Sequence, residues 1–170
     1  KERPWKLHHY LSIKSTSRLN PKQVNIWLDK EPEGKWWELT KPLVNLNYIT
    51  SPSEIFGIPI TQPAHKSDVI RLQVLLEQGG IYADTDTIFV KPFDDILNNK
   101  FVMGQQGVGG CEGLCPAIIL SEKNSNFGQQ WLAGFKDHFK GGPPGSDTWC
   151  THSVQYPRWL SQQIPNEITI

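Results

Sequence analysis

Apolar positions recur with two different periods along this chain, and the changes of period mark its elements. From residue 64 to 78 they follow a helical period on two faces, with Val69, Leu72 and Leu76 on one and Ile70 and Val74 on another. A helix apolar on two faces is predicted to be buried. Ser67 is its expected N-cap, and Gly79-Gly80 its stop signal. Residues 127–139 predict a second long helix, with Trp131, Phe135 and Phe139 at successive fourth positions. Shorter helical pieces are predicted at 7–14, at 94–97 and over 152–164, where Pro157 marks a break or kink. One helical turn is expected to start at Ser53-Glu54.

Strand-like alternation appears at 23–28, where Val24, Ile26 and Leu28 share a side, and again at 43–49. Further extended pieces are predicted at 81–84, 87–90, 101–105, 117–120 and the terminal 168–170. Residues 29–35, with Pro32 and Gly34, and the breaker run 141–145 read as loops. Strands alternating with helices predict an α/β layered fold. No repeat, low-complexity tract or composition shift divides the chain, so residues 1–170 are read as one domain.

Composition narrows the function classes. Lys plus Arg and Asp plus Glu both number 17, which argues against a nucleic-acid partner. No run of about 18 apolar residues occurs, so no membrane contact is evident in the chain. Three cysteines, Cys111, Cys115 and Cys150, allow at most one internal disulfide, and their spacing lacks a second zinc-ligand pair. A loop disulfide is favoured over free thiols and points to a secretory compartment. The absence of Met at Lys1 and the strand-like end at Ile168-Thr169-Ile170 read as the ends of a piece of a longer protein.

The chemistry concentrates around Gly79-Gly80-Ile81-Tyr82-Ala83-Asp84-Thr85-Asp86. A helix over residues 67–78 spans about 18 Å at ~1.5 Å per residue. The strand and its entry span about 15 Å at ~3.3 Å per residue. With a glycine reversal between them, the start of the helix is predicted to lie beside the end of the strand. Asp68 and Arg71 stand at the first, and Asp84 and Asp86 at the second. Carboxylates two residues apart at a strand end suit a hard divalent cation shared with substrate phosphates. Arg71 offers a planar donor fork. Alone, an Asp-x-Asp is as readily a turn, and Asp68–Arg71 a helix surface pair. A calcium loop from Asp84 fits worse, since Phe89 stands at its sixth position and Asp95 at its twelfth. A haloacid-dehalogenase-type phosphatase also fits worse, with Ile88 where Thr or Val is wanted.

The run His65-Lys66-Ser67-Asp68-Val69-Ile70-Arg71-Leu72, followed by Gly79 to Asp86, resembles the Asp-x-Asp sugar-binding region of the family 32 glycosyltransferases. That group includes yeast Golgi α-1,6-mannosyltransferases and α-1,4-galactosyl- and N-acetylglucosaminyltransferases. The same spacing occurs in the glucosylating domain of large clostridial toxins. The strong match covers residues 64–93.

The resemblance implies a GT-A (Rossmann-like) fold with a mixed sheet flanked by helices, and a Mn²⁺ or Mg²⁺ requirement. It implies transfer of a hexose, with retention, from a UDP- or GDP-sugar to a glycan, glycolipid or glycoprotein acceptor, in a Golgi or secretory lumen if the source is eukaryotic. Carried over by position, Asp68 and Arg71 hold the donor sugar and Tyr82 packs near the nucleotide. Asp84 contacts ribose, sugar or metal, and Asp86 is the firm metal ligand. His152 is the expected third metal ligand, with a capping segment as its alternative, and Ser153 is expected near the diphosphate. The family's usual first strand is absent from the start of the chain, so a sugar- or nucleotide-binding relative without turnover is the alternative function. A metal-dependent phosphohydrolase is a further one. Acceptor contacts are expected from the loops at 104–113 and 141–149.

Overall fold

The computed structural model describes residues 4–107 and 111–170, which gather into two compact units. The first comprises residues up to 51 together with 84–94, and the second comprises 52–83 and 95–170.

In the first unit, helix α1 (Leu7–Ser17) runs three residues past its predicted end. The hydroxyl cluster expected to stop it bonds back instead. Ser15 and Thr16 donate to the Ser12 carbonyl, and Ser17 donates to that of Lys14. Strand β1 (Asn25–Leu28) is followed by helix α2 (Lys35–Thr40), which begins on the last residue of the predicted loop and has no counterpart among the predicted elements. Strand β2 (Asn45–Tyr48) then pairs with β1 in parallel, Asn25 opposite Asn45. Ile13, Ile26, Leu28 and Trp37 form the core of this unit. The Trp5 indole packs edge-on against Trp37 and donates to Thr40 Oγ1.

The second unit opens with a hairpin of β3 (Glu54–Ile55) and β4 (Ile58–Pro59), where one helical turn was expected. Phe56 and Gly57 both have positive φ, 50° and 77°. Those values belong to a two-residue hairpin turn, which overrides the local helical signal. Helix α3 (Pro63–Gln78) starts one residue before its predicted start. Its N-cap is Gln62 rather than Ser67, because Pro63, with no N–H to satisfy, opens the first turn. At its end Gly79 has φ 70° and Gly80 φ 107°. A Cβ on Gly79 would meet the Lys123 backbone nitrogen at 2.9 Å, so glycine is needed there for both conformation and space.

Strand β5 (Gly80–Ala83) follows, then β6 (Phe101–Gln106) and β7 (Gly113–Ser121). They form an antiparallel sheet in the order β5-β7-β6. The predicted terminal strand reduces to a bridge between Thr169 and Val102 on the edge of β6. Helix α4 (Asn126–His138) is capped by the Ser125 hydroxyl and buries Phe127, Trp131 and Phe135. Burying each such ring is worth about 1.5–3 kcal/mol. Residues 87–90, expected to be extended, pair with no strand among the described residues. The parallel pair and the antiparallel sheet together make a mixed α/β architecture, held as small separate sheets rather than one continuous sheet. No helix among the described residues is long and apolar enough to cross a membrane.

Candidate functional site

The residues singled out by the sequence fall into two groups, one in each unit. The first is built on α3, β5, β7 and the segment before helix α5 (Tyr156–Gln163). As the matched lengths predict, the start of α3 lies beside the end of β5. The Tyr82 hydroxyl is 3.3 Å from Ser67 Oγ, and the Tyr82 ring lies 4.5 Å from the Arg71 guanidinium. This is cation–π range, and it costs less solvation for a guanidinium than for an ammonium.

Arg71 is tied down on several sides. Its Nε donates to the Ser67 carbonyl at 3.3 Å, and Nη1 donates to the Pro116 carbonyl of β7 at 2.6 Å. Nη2 reaches Ser67 Oγ at 3.3 Å and pairs with Asp68 Oδ1 at 3.2 Å. Asp68 and Arg71 are 5% and 6% exposed, so the pair is largely withdrawn from solvent. Removing charges from water is costly, and it is offset only where the remaining donors and acceptors are met. Here the second carboxylate oxygen, Oδ2, lies 3.2 Å from His152 Nε2.

His152 lies on a π-helical turn, Thr151–Gln155, that runs into α5. Pro157 explains the change of winding: it has no N–H to continue an α-type ladder to Ser153, while Tyr156 N–H bonds five residues back to Thr151. The predicted break at Pro157 is thus a widening of the helix just ahead of it. The His152 ring is fully buried. It is packed edge-on by His65, Phe135 and Phe139. Its carbonyl accepts from Trp131 Nε1 at 2.7 Å. Ser153 is buried next to it in sequence. A disulfide joins Cys111 to Cys150, two residues before His152, and Cys115 is free.

The second group is Asp84-Thr85-Asp86 in the first unit. Thr87 donates twice to the Asp84 carbonyl, from its N–H at 3.2 Å and its hydroxyl at 2.8 Å, and this closes the turn that presents the motif. Asp86 is exposed and Asp84 is half-buried. The Asp86 carboxylate is close enough to His9 to act on its titration. Burial is the main cause of the lowered His9 pKa, His8 adds to it, and Asp86 opposes it.

Three participants escaped the sequence reading. Ser67 was given a capping role, although its spacing of four from Arg71 was a usable signal. His65 has no partner pattern in the sequence; it is buried against His152 and Trp149. Burial lowers its pKa, His152 beside it lowers it further, and Asp68 acts in the opposite sense. The Pro116 carbonyl carries no residue-type signal at all. Of the expected acceptor loop 104–113, residues 104–106 belong to β6 and 113 begins β7, while 108–110 lie outside the described residues.

Comparison with known proteins bears on the family and the fold. Residues 12–102 match the model of the family described as a glycosyltransferase sugar-binding region containing a DXD motif. The chain is 37% identical over 169 residues to glucan organizing enzyme 1 of Cryptococcus neoformans, covering 95% of this chain and 44% of that protein. It is 36% identical over 66 residues to subversion of eukaryotic traffic protein A of Legionella pneumophila, covering 38% of this chain and 10% of that protein. The chain therefore spans less than half of either relative. Among solved structures it resembles the PaToxG glycosyltransferase, with a TM-score of 0.65 at 19% identity over 96% of this chain and 66% of the other, which is a likeness of fold. The fold is accordingly of the GT-A type, and the chain belongs to the glycosyltransferase family defined by a DXD-containing sugar-binding region.

Proposed function

We propose that this chain is the donor-binding part of a retaining, divalent-metal-dependent glycosyltransferase that moves a hexose from a UDP- or GDP-sugar to a glycan, lipid or protein acceptor. The observation that carries the reading is the buried Asp68–Arg71 pair under Tyr82, in the segment that leads directly into Asp84-Thr85-Asp86.

Arg71 and its backbone partners hold Asp68 in one rotamer, so the carboxylate's spare acceptor capacity meets a sugar hydroxyl without reorganisation. Tyr82, held at its hydroxyl near Ser67, is assigned to the nucleotide, and Ser153 to the diphosphate. Asp84 and Asp86 are assigned to the cation. Among the described residues no group of three or more His, Cys, Asp or Glu side chains is arranged to hold a metal ion by itself. Two carboxylates fit Mn²⁺ or Mg²⁺ when donor phosphates and water supply the remaining oxygens. The bound ion would offset the negative charge that builds on a departing diphosphate. The Cys111–Cys150 disulfide supports an oxidising compartment such as the Golgi or secretory lumen.

The test is Mn²⁺-dependent hydrolysis or transfer from a panel of UDP- and GDP-sugars by the full-length protein. Asp86→Ala is expected to lower the rate by about 10³-fold, which corresponds to several kcal/mol of lost charge stabilisation. A folded full-length protein that turns over none of the panel, yet binds a nucleotide in calorimetry, would be a binding relative instead.

A further inference from the structure

His152 is the residue of the second unit whose chemistry is least used by the reading above. It combines three observations. It is fully buried, its Nε2 lies 3.2 Å from Asp68 Oδ2, and its Nδ1 is sealed from solvent with no hydrogen-bond partner among the described residues. A buried polar atom left unpaired calls for a reason. The neighbour sets the tautomer. An ionised carboxylate only accepts, so the Asp68 contact requires a proton on Nε2, and in the neutral imidazole this leaves Nδ1 as the bare lone pair. Neither nitrogen is then open to a cation, since one is engaged by Asp68 and the other is enclosed.

The residue is also fixed from behind. Trp131 Nε1 holds its carbonyl, His65, Phe135 and Phe139 pack its ring, and Cys150 anchors the start of its turn through the disulfide. The contact with Asp68 spans 84 positions of sequence. Arg71 grips one carboxylate oxygen and His152 the other, so the plane of the carboxylate is determined by two elements at once. A single partner would leave the carboxyl torsion broad.

We propose that His152 is a positioning residue for the donor sugar: its Nε2–H sets the orientation of the Asp68 carboxylate, and this, rather than ligation of a cation, is what an imidazole does at this place in the fold. The role rests on the reading of Asp68 as a sugar-binding carboxylate. A misplacement of about 1 Å in such a group can cost about 10²-fold in rate.

The test uses two substitutions in the full-length protein, with hydrolysis of the nucleotide sugar and the Mn²⁺ concentration for half-activation as readouts. His152→Phe keeps a ring in the aromatic cage but has no donor. His152→Gln keeps a donor and loses the ring. Positioning predicts a fall in kcat of about 10²-fold for His152→Phe, recovery of about tenfold of that loss in His152→Gln, and half-activating Mn²⁺ within twofold of wild type in both. Phe tolerated better than Gln would mean that the ring only fills space. A tenfold or greater rise in half-activating Mn²⁺ would mean that His152 binds the ion. Either result overturns the proposal.

Nitrogen NMR of the wild-type imidazole supplies a readout that does not depend on the variants folding. The proton is expected on Nε2, with that resonance shifting in Asp68→Asn. A proton on Nδ1, or no response to Asp68→Asn, also overturns the proposal. If the wild-type protein turns over no nucleotide sugar, the donor reading itself fails and the positioning role falls with it. If turnover is present and only the variant pattern is wrong, the donor reading stands and the role of His152 alone is lost.

Discussion

Asp68 and Asp86 are both carboxylates assigned to one donor, yet their surroundings are opposite. Asp68 is 5% exposed, with Arg71 on one oxygen and His152 on the other. Asp86 stands exposed on a turn that is closed by Thr87 through backbone and hydroxyl bonds to Asp84. Each environment suits a different task. A group that must meet a sugar hydroxyl at a set angle gains from being fixed before binding. A group that must share a cation with incoming phosphates gains from staying hydrated, because the ion arrives with water and keeps part of it. On the proposed roles, burial is concentrated where geometry matters and withheld where exchange matters.

The sharpest way to break this contrast is to remove each carboxylate and measure stability rather than activity. Asp68→Ala strips a buried partner from both Arg71 and His152, and is expected to cost about 3–5 kcal/mol in chemical denaturation. Asp86→Ala removes an exposed side chain and is expected to stay within about 0.5 kcal/mol of wild type. Equal effects would mean that the two sites do not differ in the way described. A second probe acts on the support behind His152. Cys150→Ser opens a disulfide that spans 39 positions, and is expected to cost roughly 2–4 kcal/mol by the loop-entropy argument. The loss should appear in the midpoint of unfolding, while dithiothreitol should reproduce it in the wild type.

The smallest expected effect is a pH dependence. The His65 pKa is lowered from its ordinary 6.5, first by burial and then by His152, so the folded state disfavours its charged form. The unfolded chain takes up a proton below about 6.5 that the folded chain refuses until the pH is lower still. His65 therefore contributes its full stability above about 6.5, and that contribution falls as the pH drops toward the lowered folded value. The denaturant midpoint of wild type is expected to fall between pH 7.5 and 5.5, and by less in His65→Phe. An equal fall in both would place the dependence elsewhere.

Local pattern was enough for the elements whose signal is carried by many residues. The helix α3 was legible in its body and at its Gly79-Gly80 stop, where the apolar period and the glycines agree, while its cap is Gln62 and not the expected Ser67. The reversal into β5 followed from the lengths of the two elements, and it placed Tyr82 beside the start of the helix. Short elements were not legible in the same way. The hairpin at Glu54–Pro59 depends on positive φ at Phe56, which no residue preference signals, and α2 depends on Trp37 entering a core that it shares with residues of α1 and β1.

What the sequence determined by itself was the family, through Asp68, Arg71, Tyr82, Asp84 and Asp86 at spacings set by one helix and one strand. These residues lie within 19 positions, so covalent geometry nearly decides how they are presented. What only the tertiary structure decided was which of them are buried and who holds them. The His152–Asp68 contact, the Arg71 bond to the Pro116 carbonyl and the pairing of Cys111 with Cys150 join positions 84, 45 and 39 apart. At such separations the chain constrains almost nothing, since the cost of closing a loop grows only slowly with its length. Packing of α4 and of the turn at Thr151–Gln155 against α3 and β7 makes that choice.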